Sequence, residues 1–212
     1  MRYKRNQVEK AISRVFETGS AKPSLGLRTR LKRLLETDRG LGRSKRSADP
    51  KCANFAFYSM EGPGRGGEVW FSAYEVFALL IGLRLMQHGW PQRFAVVVLR
   101  SVRRKLEKQH ARILEQDPAI LFDEQLIMQK GKTGDLAVAN ADPVFLAINS
   151  GARDPSHSNA AAICRGQGEL MRFILAQGAG QAWTLFEVAT SINALSSELA
   201  KIKPSKRGRG AE

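Results

Sequence analysis

The sequence predicts an α+β protein in two parts, a mainly helical N-terminal part and a smaller C-terminal part of strands, a β-hairpin and a final helix. Three observations carry this. Hydrophobic residues make up 43% of 212 residues, enough to bury a core in one medium domain or two small ones. Apolar residues recur at helical spacing through most of the first half, but run in short, nearly continuous stretches in the second. Charge also divides the chain. Residues 1–115 hold 24 Lys and Arg against 10 Asp and Glu, a net 24 − 10 = +14, whereas residues 116–212 hold 10 of each. The expected division is therefore a basic domain over 1–115, a neutral α+β domain over 116–203, and a basic, low-complexity tail over 204–212 that reads as disordered.

The elements follow in order. Asn6 and Glu9 have the spacing of a capping box, and Val8, Ala11, Ile12, Val15 and Phe16 share one helical face behind them. Thr18-Gly19-Ser20 ends that helix, and after a turn at 21–24 Ser24 opens a second helix, LGLRTRLKRLLET. Its apolar stripe is Leu27, Leu31, Leu34 and Leu35, its other face carries Arg28, Arg30, Lys32 and Arg33, and Gly40 and Gly42 close it. Residues 43–53 form a basic loop with Arg43, Lys45 and Arg46. Phe55 to Ser59 and Glu68 to Phe71 suit strands. Ser72-Ala73-Tyr74-Glu75 is a capping box before a helix apolar nearly all round, which belongs at the centre of the core. Gly89 stops that helix and Pro91 starts a long one with a stripe at Val102, Leu106, Ile113 and Leu114. Beyond Asp117-Pro118 and a break at 130–134, Pro143 to Ile148 reads as a strand and 149–160 as a loop. Met171–Gln177 and Ala182–Val188 read as a hairpin. Ser191 caps a last helix striped by Ile192, Leu195, Leu199 and Ile202.

The segment GPGRGG, between the two aromatic stretches, matches G-x-G-x-x-G through Gly62, Gly64 and Gly67. A dinucleotide loop needs a strand that turns directly into a helix, because the pyrophosphate rests on that helix's N-terminus. Here a second strand intervenes, and Glu61 and Glu68 would repel the anion. The segment reads instead as a hairpin tip with Arg65 projecting, so no cofactor is expected. Helix, turn, basic helix, hairpin and capped helix is the order of a winged helix-turn-helix, in which the second helix enters the DNA major groove. Over roughly residues 6–105 the chain resembles MerR-type regulators. "VWFSAYEVFALLIGLRLMQHGWPQRFAVVVL" is similar to the stretch that follows the wing in that family, a capped helix, a glycine break and a further helix. The turn between the first two helices and the loop from Arg43 to Ala53 are longer than the family's usual ones, and neither its long dimerisation helix nor metal-binding cysteines are evident. The resemblance implies a DNA-binding protein with a basic recognition helix and a wing.

The expected nucleic-acid-binding residues are Arg28, Arg30, Lys32, Arg33, Arg43, Lys45, Arg46 and Arg65. Four cations on one helix before Glu36 point to phosphate contact rather than a solvated face. Arg103, Arg104, Lys105, Lys108 and Arg112, interrupted by Glu107 and Glu115, read as a solvated face. Phe55, Phe57, Tyr58, Trp70 and Phe71 read as core. His88, His110 and His157 have no ligand or nucleophile at a recognisable spacing, and Cys52 and Cys164 form no CxxC. Arg153, Asp154, His157, Cys164 and Arg165 read as ordinary loop polars, so neither catalysis nor metal binding is expected. Two cysteines and the lack of a secretory or membrane-spanning run suit a reducing cytoplasm. The expected function is a DNA-binding transcriptional regulator that dimerises through the C-terminal half. An RNA-binding or ribosome-associated protein is the alternative, and an enzyme acting on nucleic acid through the C-terminal half is the third reading.

Overall fold

A computed structural model describes residues 1–17, 22–59, 69–149, 161–178 and 182–202. The GPGRGG segment with Arg65, most of the loop at 149–160 with Arg153, Asp154 and His157, and the C-terminal tail lie outside them. The chain is mixed α/β. Among the described residues, nine helices accompany a two-stranded and a three-stranded sheet, both antiparallel.

The first strand is one the sequence did not suggest. β1 (Arg2–Lys4) leads into α1 (Arg5–Phe16), and it pairs with β2 (Trp70–Ser72) in the register Arg2↔Ser72, Tyr3↔Phe71, Lys4↔Trp70. α2 (Leu25–Gly40) starts where expected, with the Ser24 Oγ accepting from the Leu27 N–H at 3.0 Å. It ends before Gly42, whose φ of 64° needs a residue without a Cβ. A single turn, α3 (Pro50–Ala53), interrupts the basic loop.

α4 (Ala73–Gln87) has the capping box in full. The Glu75 N–H donates to Ser72 Oγ at 3.2 Å and the Ser72 N–H donates to Glu75 Oε2 at 2.7 Å. Eleven of its 15 residues are buried, as its all-round apolar sequence requires. α5 (Gln92–Leu114) packs along it, and two short helices follow, α6 (Pro118–Leu121) and α7 (Glu124–Lys130).

The second half centres on β3 (Val144–Asn149), all six residues of which are buried. β4 (Ala161–Arg165) and β5 (Trp183–Glu187) flank it in the order β4-β3-β5. Val144, Leu146, Ile148, Ile163 and Phe186 join the main core, while Phe145, Ala147 and Cys164 form a second cluster with Leu170 of α8 (Gly166–Ala176). α9 (Ala189–Lys201) closes the chain against α1, α4 and α5.

Three expectations are corrected. Phe55–Ser59 is not a strand, although Phe55, Ala56, Phe57 and Tyr58 are buried. Side chains take its ladder partners: Asp38 accepts from the Ala56 and Phe57 N–H groups, each at 3.0 Å, and Arg103 donates to the Phe55 and Tyr58 carbonyls. The hairpin of Met171–Gln177 with Ala182–Val188 is absent. Its first arm lies in α8, where Leu170, Phe173 and Ile174 face the sheet at i, i+3 and i+4, and β5 pairs with β3 instead. The last helix begins two residues before Ser191, because the Glu187 carboxylate accepts from the Ala189 and Thr190 N–H groups.

The stripe Ile192, Leu195, Leu199 and Ile202 is buried within the chain. α1 and α9 are joined by Arg14 Nη1 to Glu198 Oε2 at 2.9 Å, and Gln7 Nε2 donates to the Ile202 carbonyl at 3.1 Å. One apolar cluster therefore runs from Val8 to Ile202, across the 115/116 division of charge.

Candidate nucleic-acid interface

α2 is amphipathic in the simplest way. Leu27, Leu31, Leu34 and Leu35 are buried, and Arg28, Arg30, Lys32 and Arg33 are exposed. Sixteen residues make a rod about 24 Å long. The carboxylates near this row hold it loosely. Arg28 Nε lies 3.6 Å from Glu9 Oε2, and Lys32 Nζ lies 3.7 Å from Glu36 Oε1. Both cations are more than half exposed and pairs at such distances contribute about 0–1 kcal/mol, so a phosphate competes for them at little cost. Arg39 extends the row, its guanidinium 5.7 Å from the Tyr58 ring centroid.

The loop after α2 is fixed by a buried polar clamp. Arg100, 2% exposed, donates from Nε to Asp38 Oδ1 at 2.6 Å, and from Nη1 to the Gly42 carbonyl at 2.8 Å and the Lys51 carbonyl at 3.2 Å. Its Nη2 bonds the Asp38 carbonyl. Arg103 Nη1 donates to the carbonyls of Phe55 at 2.6 Å and Tyr58 at 2.7 Å, with Nη2 3.8 Å from Glu75 Oε1. The Ser44 N–H closes the loop onto the Cys52 carbonyl at 2.9 Å, leaving Lys45 and Arg46 exposed at its tip. Two arginines and two carboxylates neutralise one another in this clamp, so it adds order to the loop without adding to its field.

The structure thus brings Arg28, Arg30, Lys32, Arg33, Lys45 and Arg46 to the surface around one helix and the loop that follows it. Arg43 departs from expectation: it is half-buried, 5.6 Å from the Phe55 ring centroid, with Nη1 3.4 Å from the Ser59 carbonyl. Arg65 lies outside the described residues. Arg103, expected in solvent, is buried, and Arg112 is half-buried against Asp142, while Arg104, Lys105 and Lys108 are exposed as expected. Phe55, Phe57, Tyr58 and Phe71 are core, but Trp70 is not: it is 43% exposed, with Lys4 Nζ 4.9 Å from its ring centroid.

Where the two halves meet, Arg112, Gln116 and Arg165 converge on Asp142. Burial alone would raise the Asp142 pKa, but these hydrogen bonds outweigh it and bring it down to about 2. Cys164 is buried and its thiol is pushed up to about 11, so it is not poised as a nucleophile. His110 packs between the rings of Tyr74 and Phe77, and His88 against Phe186. Among the described residues no group of three or more His, Cys, Asp or Glu is placed to hold a metal ion, and no helix is long and apolar enough to cross a membrane.

No family model, curated protein or solved structure matches the chain.

Proposed function

We propose that the chain is a non-enzymatic DNA-binding protein of the transcription-regulator class, and that α2 is its recognition helix. The observation that carries this reading is the row of four exposed cations on a helix whose opposite face is locked into the core. A helix of this width fits the major groove of B-form DNA, and Lys45 and Arg46 on the clamped loop reach the flanking backbone. The order helix, turn, basic helix supports the helix-turn-helix part of the MerR-like reading; of the expected wing, residues 55–59 are not a strand and the tip with Arg65 lies outside the described residues. The second reading is structured RNA, since phosphate charge is common to both. A helical reader favours DNA, because the major groove of A-form RNA is too deep and narrow to admit it.

The test is binding of the full chain to a labelled duplex by anisotropy over a salt series, beside an RNA hairpin. Six phosphate contacts, from Arg28, Arg30, Lys32, Arg33, Lys45 and Arg46, give a slope of about −5 in log K against log salt. Salt-insensitive binding, or tighter binding to the RNA hairpin, overturns the DNA reading. A homodimer through the C-terminal half belongs to the same proposal. With the α9 stripe buried, its remaining support is the outer face of α8, where Met171 and Leu175 are exposed. Sedimentation of the full chain tests it, and a monomer removes it.

A further inference from the structure

Trp70 is the single Phe, Tyr or Trp side chain in the exposed class among the described residues. Its setting is specific. In an antiparallel pair, residues opposite one another point to the same face, so the register places Arg2, Lys4, Trp70 and Ser72 together on one side of the β1–β2 ribbon. Tyr3 and Phe71 point the other way, and Phe71 is 1% exposed in the core. The ribbon is therefore anchored from below while an indole and two cations stand on its outer face. The ribbon and the α2 row are joined through α1. Arg5, the next residue after β1, bonds Glu9 at 2.9 Å, and the same carboxylate meets Arg28 of α2 at 3.6 Å.

We propose that the outer face of the ribbon is a stacking platform for an unpaired nucleobase, on a DNA strand whose double-stranded part lies along α2. The proposal rests on the duplex reading of α2. The Lys4 ammonium sits over the indole in the free protein. With Trp70 exposed and Lys4 half-buried, such a contact is worth from about two-fold to roughly thirty-fold in an equilibrium. A base stacked on an aromatic side chain is worth roughly five- to a hundred-fold. A base therefore competes for the ring, and Arg2, exposed on the same face, takes a phosphate flanking that base. Every base has a π-face, so the platform selects for an unpaired strand next to a duplex and is indifferent to its sequence. This gives the protein a preference for junctions, overhangs or locally opened duplex.

The test uses the full chain with two probes, a blunt duplex and the same duplex carrying a single-stranded oligo-dT tail. The chain has three tryptophans. In a W90F/W183F variant, where Trp70 is the one remaining emitter, the tailed duplex should quench the fluorescence and the blunt duplex should leave it unchanged. Trp70→Ala should weaken binding to the tailed duplex roughly five- to a hundred-fold while changing the blunt duplex less than about twofold, and Trp70→Phe, which still stacks, should retain the tail's contribution. A tail that adds no affinity, emission unmoved by the tailed duplex, or equal loss on both probes in Trp70→Ala overturns the platform. Failure of the unmodified chain to bind the blunt duplex removes the α2 reading instead, and quenching by the tailed probe in that case still supports the platform.

Discussion

Arg100 and Asp38 are invisible as a pair in the sequence, 62 residues apart, yet they fix the ground on which the basic loop stands. Both are buried, so removing one strands the other's charge in the interior. Arg100→Ala should cost about 3–5 kcal/mol in equilibrium denaturation, and an Asp38→Leu/Arg100→Met double variant should cost less than the single. A cost within about 0.5 kcal/mol, typical of surface sites, would mean that the clamp is not formed. The signal for burial was present in the spacing. Val96, Leu99, Arg103, Leu106, His110 and Ile113 alternate steps of three and four along α5, and all are buried. Arg103 and His110 occupy core positions of that stripe, which the charge of the run RSVRRK masks. His110 yields a second expectation. Burial lowers its pKa from 6.5 to about 4, so the unfolded chain binds a proton that the folded chain refuses. Stability therefore rises with pH between about 4 and 6.5, by roughly 3 kcal/mol over the window, and declines as pH falls through it. His110→Leu should flatten that part of the stability profile, and an unchanged slope would place the effect elsewhere.

Elements with a local, covalently close signal were legible. Ser72 and Glu75 are three residues apart, their reciprocal bonds depend only on helix geometry, and α4 begins where they place it. Ser72→Ala should cost about 1 kcal/mol, read as a shift in denaturation midpoint without a change in slope. A neutral substitution would show that the other half of the box, the Ser72 N–H on Glu75 Oε2, is enough to start α4. Elements were misread where the partner is distant. Phe55–Ser59 has strand composition, but its backbone is satisfied by Asp38 and Arg103, residues that no local window contains. β1 has only three residues and forms because Phe71 reaches it from across the chain. α8 was within reach, since Leu170, Phe173 and Ile174 have helical spacing, but the apolar run outweighed the period. At Gly82 the packing of α4 is tight. An added Cβ would stand 3.3 Å from Leu34 Cδ1 and from the Phe57 ring, so Gly82→Leu should cost about 1–3 kcal/mol through overpacking.

Across the whole molecule, charge and packing divide the chain differently. The excess of positive charge stops near residue 115, but the apolar core does not. α9 covers α1, α4 and α5, and β3 buries one face in the same cluster. A fragment of residues 1–115 should therefore expose Val8, Ile12 and much of α5, and should lack the sharp thermal transition of the full chain. A fragment that melts cooperatively would show that the basic part folds alone. The exposed cations of α2 were legible for the opposite reason that the clamp was not: solvated charge needs no distant partner for composition to report it. What composition does not give is which of two cationic rows is used, since α5 also exposes four cations, Arg93, Arg104, Lys105 and Lys108. Replacing Arg28, Arg30, Lys32 and Arg33 with alanine in one full-length variant, and those four α5 residues in another, removes the same charge from each. If α2 lies on the duplex, the α2 variant should bind more weakly, with its salt slope reduced from about −5 to about −2, while the α5 variant keeps both slope and affinity. Equal losses in the two variants would contradict a recognition role for α2 and reduce its cations to a share of a diffuse field.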